Sequence, residues 1–282
     1  MRRFIFFASI LVSWGSVAAT WEIRYPKPEL DTDLRTTYPL QVLSLALDQT
    51  GVRYNLLPTQ KVIGQGKSIK QLKANREVSV IWSMTDKIRE EELLPVRIPI
   101  YKGLIGYRIF FVKSEHLSLF SSFSDISELR QYSPVQGYDW PDTKILQHNG
   151  FEVVTSNDFN AMYNILDVER ANFFPRSVVE IWAELDRDNH SDYLAIEPHI
   201  ALRYPTATYF FFNKKNLVLA NLIETGLRRA IDSGEFDKLF MQVHEGYLTR
   251  ANINERLIFE LDNPVLPDAT PVDNAKLWYT VN

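Results

Sequence analysis

The sequence contains no cysteine. Disulfides and thiolate metal sites are therefore excluded, so the fold must be held together by its apolar core. Histidine is scarce as well, with 5 residues in the chain. They are scattered, no two stand at helical ligand spacing, and no HExxH motif occurs. The sequence accordingly predicts no metal site and no cofactor.

Clusters of basic residues and nucleophile motifs are also missing. The net charge is -4 and the sequence pI is about 5.8, which argues against nucleic acid as a partner. No G-x-S-x-G elbow marks a catalytic serine. Acidic residues are plentiful, so the sequence leaves an enzymatic general acid open without selecting one.

Long apolar runs are confined to the first residues. Arg2 and Arg3 precede the apolar segment Phe4 to Val12, and Ser16 to Ala19 then offer small residues for cleavage. This order is typical of a secretory signal peptide, predicted over residues 1–19. The alternative is an uncleaved anchor, but the apolar run is shorter than the ~20 residues of a spanning helix. We therefore expect the mature chain in a Gram-negative periplasm.

The 282 residues that are present suit one large or two medium domains with an ordinary core. The first hundred residues alternate between strand-like and helix-like patterns. This β-α-β-α-β order predicts a mostly parallel sheet with crossover helices. The predicted elements are strands at 21–26, 54–57 and 78–82, a helix at 38–47, and a helix N-capped by Ser68.

A second α/β region follows, and the chain then returns to the first. We predict two α/β lobes, each with a mostly parallel sheet flanked by helices, joined by two hinge crossings near Gly103–Gly106 and Arg203–Thr206. Lobe 1 is predicted to comprise 20–102 and, with a C-terminal tail, 205–282, whereas lobe 2 comprises 103–204. The final Leu277-Trp278-Tyr279 is expected to be anchored by packing.

Candidate binding residues stand where strands are predicted to end, because ligands of open α/β sheets bind outside the carboxyl ends of strands. Arginine offers a fixed fork that matches a carboxylate, and aromatic rings offer rigid contact area. Asp139 could cap a helix whose free N–H groups bind an anion, or it could cap that helix only. Each arginine could instead form a surface salt bridge. The candidates are Tyr25, Trp82, Ser83, Thr85, Arg89, Arg108, Asp139, Trp140 and Arg176.

The segment that follows the third predicted strand resembles the family 3 periplasmic solute-binding proteins of the polar amino acid type, which have the type II two-lobed fold. In that family a strand ending in Ser or Thr leads to a T-x-x-R signature, and Ser83, Thr85 and Arg89 match it with one extra residue. Gly234 before a late helix is similar to the family's closing helices. The likeness runs from Trp21 to about Val243.

This resemblance implies a monomeric receptor whose lobes close on a small polar or anionic, amino-acid-like solute. It also implies that Arg89 clamps the ligand carboxylate and that the partner is an inner-membrane ABC permease. Where the family presents an acidic residue to the ligand ammonium, this chain reads Phe174-Pro175-Arg176, which suggests a more anionic ligand. Two alternatives stay open: a dehydratase-like periplasmic enzyme on the same fold, and a ligand-sensing module for a membrane receptor kinase.

Overall fold

A computed structural model describes residues 19–28, 34–186 and 190–280. The predicted signal peptide lies outside the described residues except for Ala19, which is exposed. Within the described ranges, no helix is both long enough and apolar enough to cross a membrane.

Strands and helices alternate through most of the chain. The strands are β1 Trp21–Lys27, β2 Tyr54–Val62, β3 Ile81–Met84, β4 Leu94–Val96, β5 Tyr107–Lys113, β6 Val135–Gly137, β7 Val154–Ser156, β8 Phe174–Ser177, β9 Leu194–Ile196, β10 Ile200–Arg203, β11 Thr208–Phe212 and β12 Leu257–Glu260. The helices are α1 Leu34–Asp48, α2 Gln65–Lys73, α3 Lys87–Glu92, α4 Ile126–Leu129, α5 Pro141–His148, α6 Phe159–Asp167, α7 Ile181–Leu185, α8 Leu217–Asp232 and α9 Glu235–Ala251. The predicted α/β class is confirmed.

Lobe 1 contains β1 to β4 and β11, covered by helices from both parts of the chain. Strands β1 and β2 pair in parallel, and the returning strand β11 lies between β3 and β4. Helix α8 packs so closely on α1 that a Cβ at Gly226 would collide with the carbonyl oxygen of Ala46. This close crossing joins the early and late parts of the chain into one core.

Lobe 2 is built around β5, which pairs with β8, β9 and β10, while β6 and β7 form a parallel pair. The apolar run of β5 explains its central place, because Phe110 and Phe111 are both fully buried. Phe110 packs on Phe173, with ring centroids 4.8 Å apart. Aromatic pairs of this kind stabilise the fold by more than the free energy expected from their buried area alone.

The sheets are more mixed in direction than expected. Among the described strands, three pairings are parallel: β1 with β2, β6 with β7, and β10 with β12. The other pairings of these strands are antiparallel: β5 with β8, β9 and β10, and β11 with β3 and β4. The hinge explains part of this difference. Strand β5 leaves the hinge and β10 runs back to it, so neighbours of this kind must run in opposite directions.

The two crossings between the lobes lie side by side. The backbone N–H of Tyr204 donates to the carbonyl oxygen of Gly106 at 3.2 Å. A Cβ on Gly106 would collide with the carbonyl oxygen of Tyr204, so glycine is required for this approach. A pair of adjacent connections of this type permits hinge motion while preserving each lobe.

Some local predictions differ from the structure. Ser68 does not cap α2, which begins after Gly64; its hydroxyl instead donates back to the Gly64 carbonyl oxygen at 3.0 Å. Helix α5 begins at Pro141 with Trp140 at the N-cap position, so the side chain of Asp139 does not cap it. The N-cap position therefore lies four residues before Ser68 in α2 and one residue after Asp139 in α5.

The end of the chain also differs from the simple two-lobe division. Residues 205–282 were assigned to lobe 1, but β12 pairs in parallel with β10, and therefore joins the sheet of β5. After β12 the chain returns to lobe 1, where Trp278 packs partly buried against an apolar cluster that includes Leu93 and Phe211. The expected packing of Trp278 is thus observed.

Candidate functional site

A cavity of about 680 Å³ lies between the two lobes. This volume falls within the ~300–1,000 Å³ range of small-molecule sites. Lobe 1 contributes Trp82 and Ser83 from the end of β3, and lobe 2 contributes Trp140 and Arg176. The carboxyl end of β3 therefore faces the cleft. Ligands of open α/β sheets bind at this end of the strands.

Trp82 is held in place by contacts on both sides. Its indole Nε1 donates to the backbone oxygen of Arg35 at 2.7 Å, and Phe210 packs edge-on to its ring at 6.5 Å. The ring centroids of Tyr25 and Trp82 are 6.2 Å apart. Tyr25 is not part of the cavity lining, whereas the next residues, Pro26 to Pro28, are. Tyr25 thus supports the wall of the cleft from behind.

Ser83 belongs to the lining of the cleft and carries an unsatisfied hydroxyl. The residue is 4% exposed, and among the described residues its Oγ has no hydrogen-bond partner. Leaving a buried polar group unpaired costs roughly 1–3 kcal/mol, so such groups need an explanation. A bound ligand would supply the missing partner.

Thr85 is engaged elsewhere. It is fully buried, its Oγ1 donates to Glu90 Oε1 at 2.7 Å, and its backbone N–H donates to the oxygen of Ala207 at 2.8 Å. Glu90 is itself paired with Arg97 at 2.6 Å. The hydroxyl of Thr85 therefore stabilises the turn before α3, and Thr85 is not among the residues that line the cavity.

Arg89 lines the cleft but its guanidinium is already occupied. Nη1 donates to the Met84 oxygen at 2.6 Å, and Nη2 donates to Gln65 at 3.2 Å and to the backbone oxygen of Asp139 in lobe 2 at 3.4 Å. Burial lowers the pKa of Arg89, and the nearby Asp86, at 3.4 Å, opposes that shift. In this arrangement Arg89 links the two lobes directly.

Arg108 lies on β5 at the hinge end of the cleft. Its Nη2 is 2.7 Å from Asp142, and its Nη1 is 3.6 Å from Glu180. Burial lowers the pKa of Arg108, but Asp142, Tyr204 and Glu180 together outweigh that effect, so the net shift is upward. Asp142 also accepts a short hydrogen bond from the hydroxyl of Tyr204. One buried donor of Arg108, Nε, has no partner among the described residues.

Arg176 is bound within lobe 2. Its Nε and Nη2 donate to the two carboxylate oxygens of Glu184 at 2.7 and 2.6 Å, and Glu180 lies 3.2 Å away. Burial raises the pKa of Glu184, but Arg176 more than compensates, so this pKa lies below its ordinary value. The guanidinium also lies 5.0 Å from the ring centroid of Trp140. Arg176 lies within β8 rather than after it.

Trp140 and Asp139 form the edge of the cleft on lobe 2. The Trp140 ring lies directly on Gly137, where a Cβ would collide with it. Asp139 approaches lobe 1 closely, since its Oδ2 would lie 3.0 Å from a Cβ placed on Gly66. The predicted residues that line the cleft are Trp82, Ser83, Arg89, Arg108, Asp139, Trp140 and Arg176.

Several residues of the site were not predicted. Arg35 of lobe 1 lies 4.6 Å from the ring centroid of Phe159 in lobe 2, so this cation–π contact crosses the cleft. Glu180 and Glu184 carry the carboxylates that pair with Arg176. Their spacing of four and eight residues from Arg176 does not come from one helix, because Arg176 lies in β8 and α7 begins at Ile181. The turn between the two elements makes these contacts possible.

The described residues include a surface group with metal-ligand chemistry, formed by Glu115, His116 and Glu169. Lys113 pairs with both glutamates at 2.7 and 2.9 Å and therefore already balances part of their charge. The group lies outside the lining of the cleft.

Comparisons with known proteins bear on the fold. No protein-family model matches the sequence, and no curated protein matches it. Solved structures do match. A putative binding component of an ABC transporter from Wolinella succinogenes, complexed with lysine, is 12% identical with a TM-score of 0.58, covering 79% of this chain and 95% of that chain. A Salmonella typhimurium periplasmic binding protein with high arginine specificity is 12% identical with a TM-score of 0.58, covering 80% and 99%.

Sensor domains match equally well. The periplasmic VFT2 domain of Bordetella pertussis BvgS is 15% identical with a TM-score of 0.60, covering 79% of this chain and 93% of that chain. The shared feature of these structures is the fold. The chain has the two-lobed α/β fold of the type II periplasmic binding proteins, which confirms the fold that the sequence resemblance implied.

Proposed function

We propose that this protein is an extracytoplasmic receptor that captures a small polar, amino-acid-like solute in the cleft between its lobes. The observation that carries the proposal is the cavity between the lobes. Its lining includes from each lobe one residue with a buried polar atom that has no partner among the described residues: Ser83 in lobe 1 and Arg108 in lobe 2. A ligand that bonds to both groups bridges the lobes. Closure about the hinge then follows from ligand binding itself.

The charges around the cleft favour a neutral or zwitterionic ligand. Arg89, Arg108 and Arg176 are matched by the carboxylates of Asp86, Asp142 and Glu184, and Glu180 adds a further negative charge. Lys27, Arg35 and Lys67 also line the cleft, as do Asp139 and Asp158. The basic and acidic groups in and beside the cleft therefore balance and leave no surplus positive charge for a polyanion. This balance supports an α-amino acid more than the anionic solute suggested by Phe174-Pro175-Arg176.

The proposed partner is an inner-membrane ABC permease, because the similar structures include binding components of ABC transporters. A sensory role is the second candidate, supported by the similarity to the BvgS domain and to a histidine kinase sensor domain. An enzyme is less well supported. The cleft carboxylates Asp142 and Glu180 are both engaged by buried arginines within the protein.

A thermal-shift screen of residues 20–282 tests the proposal. Neutral, basic and acidic amino acids and dicarboxylates are the probes, and a true ligand raises the melting temperature by mass action. We expect stabilisation by neutral or basic amino acids and none by dicarboxylates. Failure of every probe to stabilise the protein contradicts the proposal.

Two further measurements separate the candidate roles. A stabilising compound recovered unchanged after incubation supports a receptor, whereas conversion to product supports an enzyme. A strain without the protein should lose uptake of the ligand if the partner is a permease. It should keep uptake and lose a transcriptional response to the ligand if the partner is a receptor kinase.

A further inference from the structure

The last part of the chain follows a path that touches both lobes. We define residues 257–280 as the C-terminal strap. It begins after α9 of lobe 1 and first joins lobe 2, where β12 pairs with β10 from Leu257 opposite Ile200 to Glu260 opposite Arg203. The strap therefore starts by extending the sheet of lobe 2.

A second contact fastens the strap to lobe 2. Asn149, which follows α5, donates from Nδ2 to the Asp262 carbonyl oxygen at 2.8 Å and accepts from the Asp262 N–H at 3.1 Å. The amide side chain thus binds the backbone of the strap in both directions. Because the two bonds share one residue on each side, loss of Asn149 removes both of them.

The strap then attaches to lobe 1. The Lys87 N–H at the start of α3 donates to the Val265 oxygen at 3.1 Å, and the Tyr279 N–H donates to the Lys102 oxygen at 2.8 Å. The ring of Trp278 lies on Gly103 in the first crossing, where a Cβ would collide with it. This half of the strap is therefore held by backbone bonds and by one buried ring face.

The spacing of these attachments limits how far the lobes can separate. Asp262 is bound to lobe 2 and Val265 to lobe 1, and a fully extended chain spans at most ~3.6 Å per residue, or about 11 Å across the three steps between them. Any opening that would move the partners of Asp262 and Val265 beyond the reach of this short segment and its hydrogen bonds must detach one end of the strap.

We propose that the C-terminal strap is a third, non-covalent tie between the lobes that resists opening and raises the population of the closed form. The apparent affinity of a ligand that needs the closed form scales with the fraction of protein already closed. The strap therefore sets part of the affinity of the cleft without touching the ligand. Its effect on the lobes does not depend on the identity of the ligand.

The absence of cysteine makes this proposal directly measurable. Cysteines introduced at the exposed positions Lys70 on α2 and Lys144 on α5 carry spin labels, one on each lobe, and pulsed electron paramagnetic resonance reports their distance without ligand. Asn149→Ala loosens the lobe 2 attachment, and Trp278→Ala loosens the lobe 1 attachment. Arg228→Ala is the matched control, because it removes an exposed ion pair with Glu224 inside α8.

The parent and the Arg228→Ala control should give the same narrow distance distribution. Both strap variants should add a population at longer distance while their circular dichroism stays native. If Trp278→Ala fails to fold, Asn149→Ala decides the question. Unchanged distances in the folded strap variants overturn the proposal. A failed ligand screen leaves this distance experiment intact, so the two proposals can fail separately.

Discussion

The two walls of the cleft satisfy their polar groups in different ways. Lobe 1 offers an indole fixed by a backbone bond and the unpaired hydroxyl of Ser83. Lobe 2 offers Arg108 and Arg176, each buried beside carboxylates. A buried charge without a partner costs far more than a buried hydroxyl, so lobe 2 must pair the charges of its arginines before any ligand arrives. Among the described residues of lobe 2, only single polar atoms, such as Nε of Arg108, stay without a partner.

This difference assigns separate roles to the walls. The network of lobe 2 is preorganised and determines which charges can enter, whereas lobe 1 retains a group that only a ligand satisfies. Variants of the buried charges of lobe 2 should therefore affect stability first, and variants of strand β3 in lobe 1 should affect binding first. Arg89 of lobe 1 should behave like the arginines of lobe 2, because its guanidinium already has partners in the protein. The predictions below test that division.

The largest effect is expected from Arg176→Ala. Removal of the guanidinium leaves Glu184 buried without its bidentate partner, and breaking a buried pair in this way costs about 3–5 kcal/mol. Urea unfolding should show the loss. The double variant Arg176→Met/Glu184→Met should recover most of it, because an apolar pair carries no desolvation cost. A single variant as stable as the parent would contradict a structural role for this pair.

Arg89→Ala should lower the free energy of unfolding by about 1.5–3 kcal/mol, the range for hydrogen bonds to charged groups. The reason is that the Met84 oxygen and Asp86 lose a buried partner. Arg89→Lys keeps the charge but loses the fork, and should recover only part of the stability. If Arg89 acted solely by clamping a ligand, chemical unfolding without ligand would be unchanged in both variants.

Lobe 1 should contribute acid sensitivity through His244. This residue is 2% exposed, it packs 4.3 Å from the ring of Tyr38 and 5.0 Å from that of Phe240, and neither ring nitrogen has a partner among the described residues. Burial lowers its pKa from 6.5 to about 3. The unfolded chain therefore binds the proton more readily, and stability is lost as the pH falls below 6.5.

The loss should reach about 2 kcal/mol at pH 5, from ~1.36 kcal/mol per pH unit. Equilibrium unfolding across this window measures it, and His244→Phe should flatten the dependence because phenylalanine does not titrate. Glu184 of lobe 2 has a pKa below its ordinary value, so its loss of stability begins only near and below pH 4.5. An unaltered slope between pH 6.5 and 5 in His244→Phe would show that another group is responsible.

The smallest effect on stability belongs to Ser83→Ala. The hydroxyl has no partner to lose, so the free energy of unfolding should change by less than about 0.5 kcal/mol. The affinity for a ligand found by the thermal-shift screen should fall by about 0.5–1.5 kcal/mol, the value of an ordinary hydrogen bond. Titration calorimetry measures this, with the exposed Ser122→Ala as control. Equal affinities for the two variants would remove Ser83 from the binding site.

The strong apolar patterns were predictable from the sequence because they are local. Strands β5 and β11 are of this kind, since both are rich in β-branched or aromatic residues. Strands β4, β10 and β12 have only three or four residues, which is too short for a period, and they pair with residues far along the chain. No local pattern could reveal them.

The site was predictable only in part for a related reason. The position of Trp82 and Ser83 follows from the end of a strand, which the sequence marks. The partners of Arg108 do not follow, because Asp142 is 34 residues away and meets it only through the packing of α5 on lobe 2. Thr85 shows the opposite case, since a glutamate five residues later captures its hydroxyl. Residue type predicted chemistry, and packing determined where that chemistry was used.

The position of β11 between β3 and β4 has a consequence for the order in which the chain can acquire structure during synthesis. The sheet strands β5, β8, β9 and β10 come from one continuous stretch and can pair as soon as residue 203 is available. Strands β3 and β4 must wait until Phe212 has been made before their shared neighbour exists. Long-range pairing of this kind slows folding and leaves early edges exposed. Lobe 2 should therefore be the first part of the nascent protein to resist a protease, and lobe 1 the last.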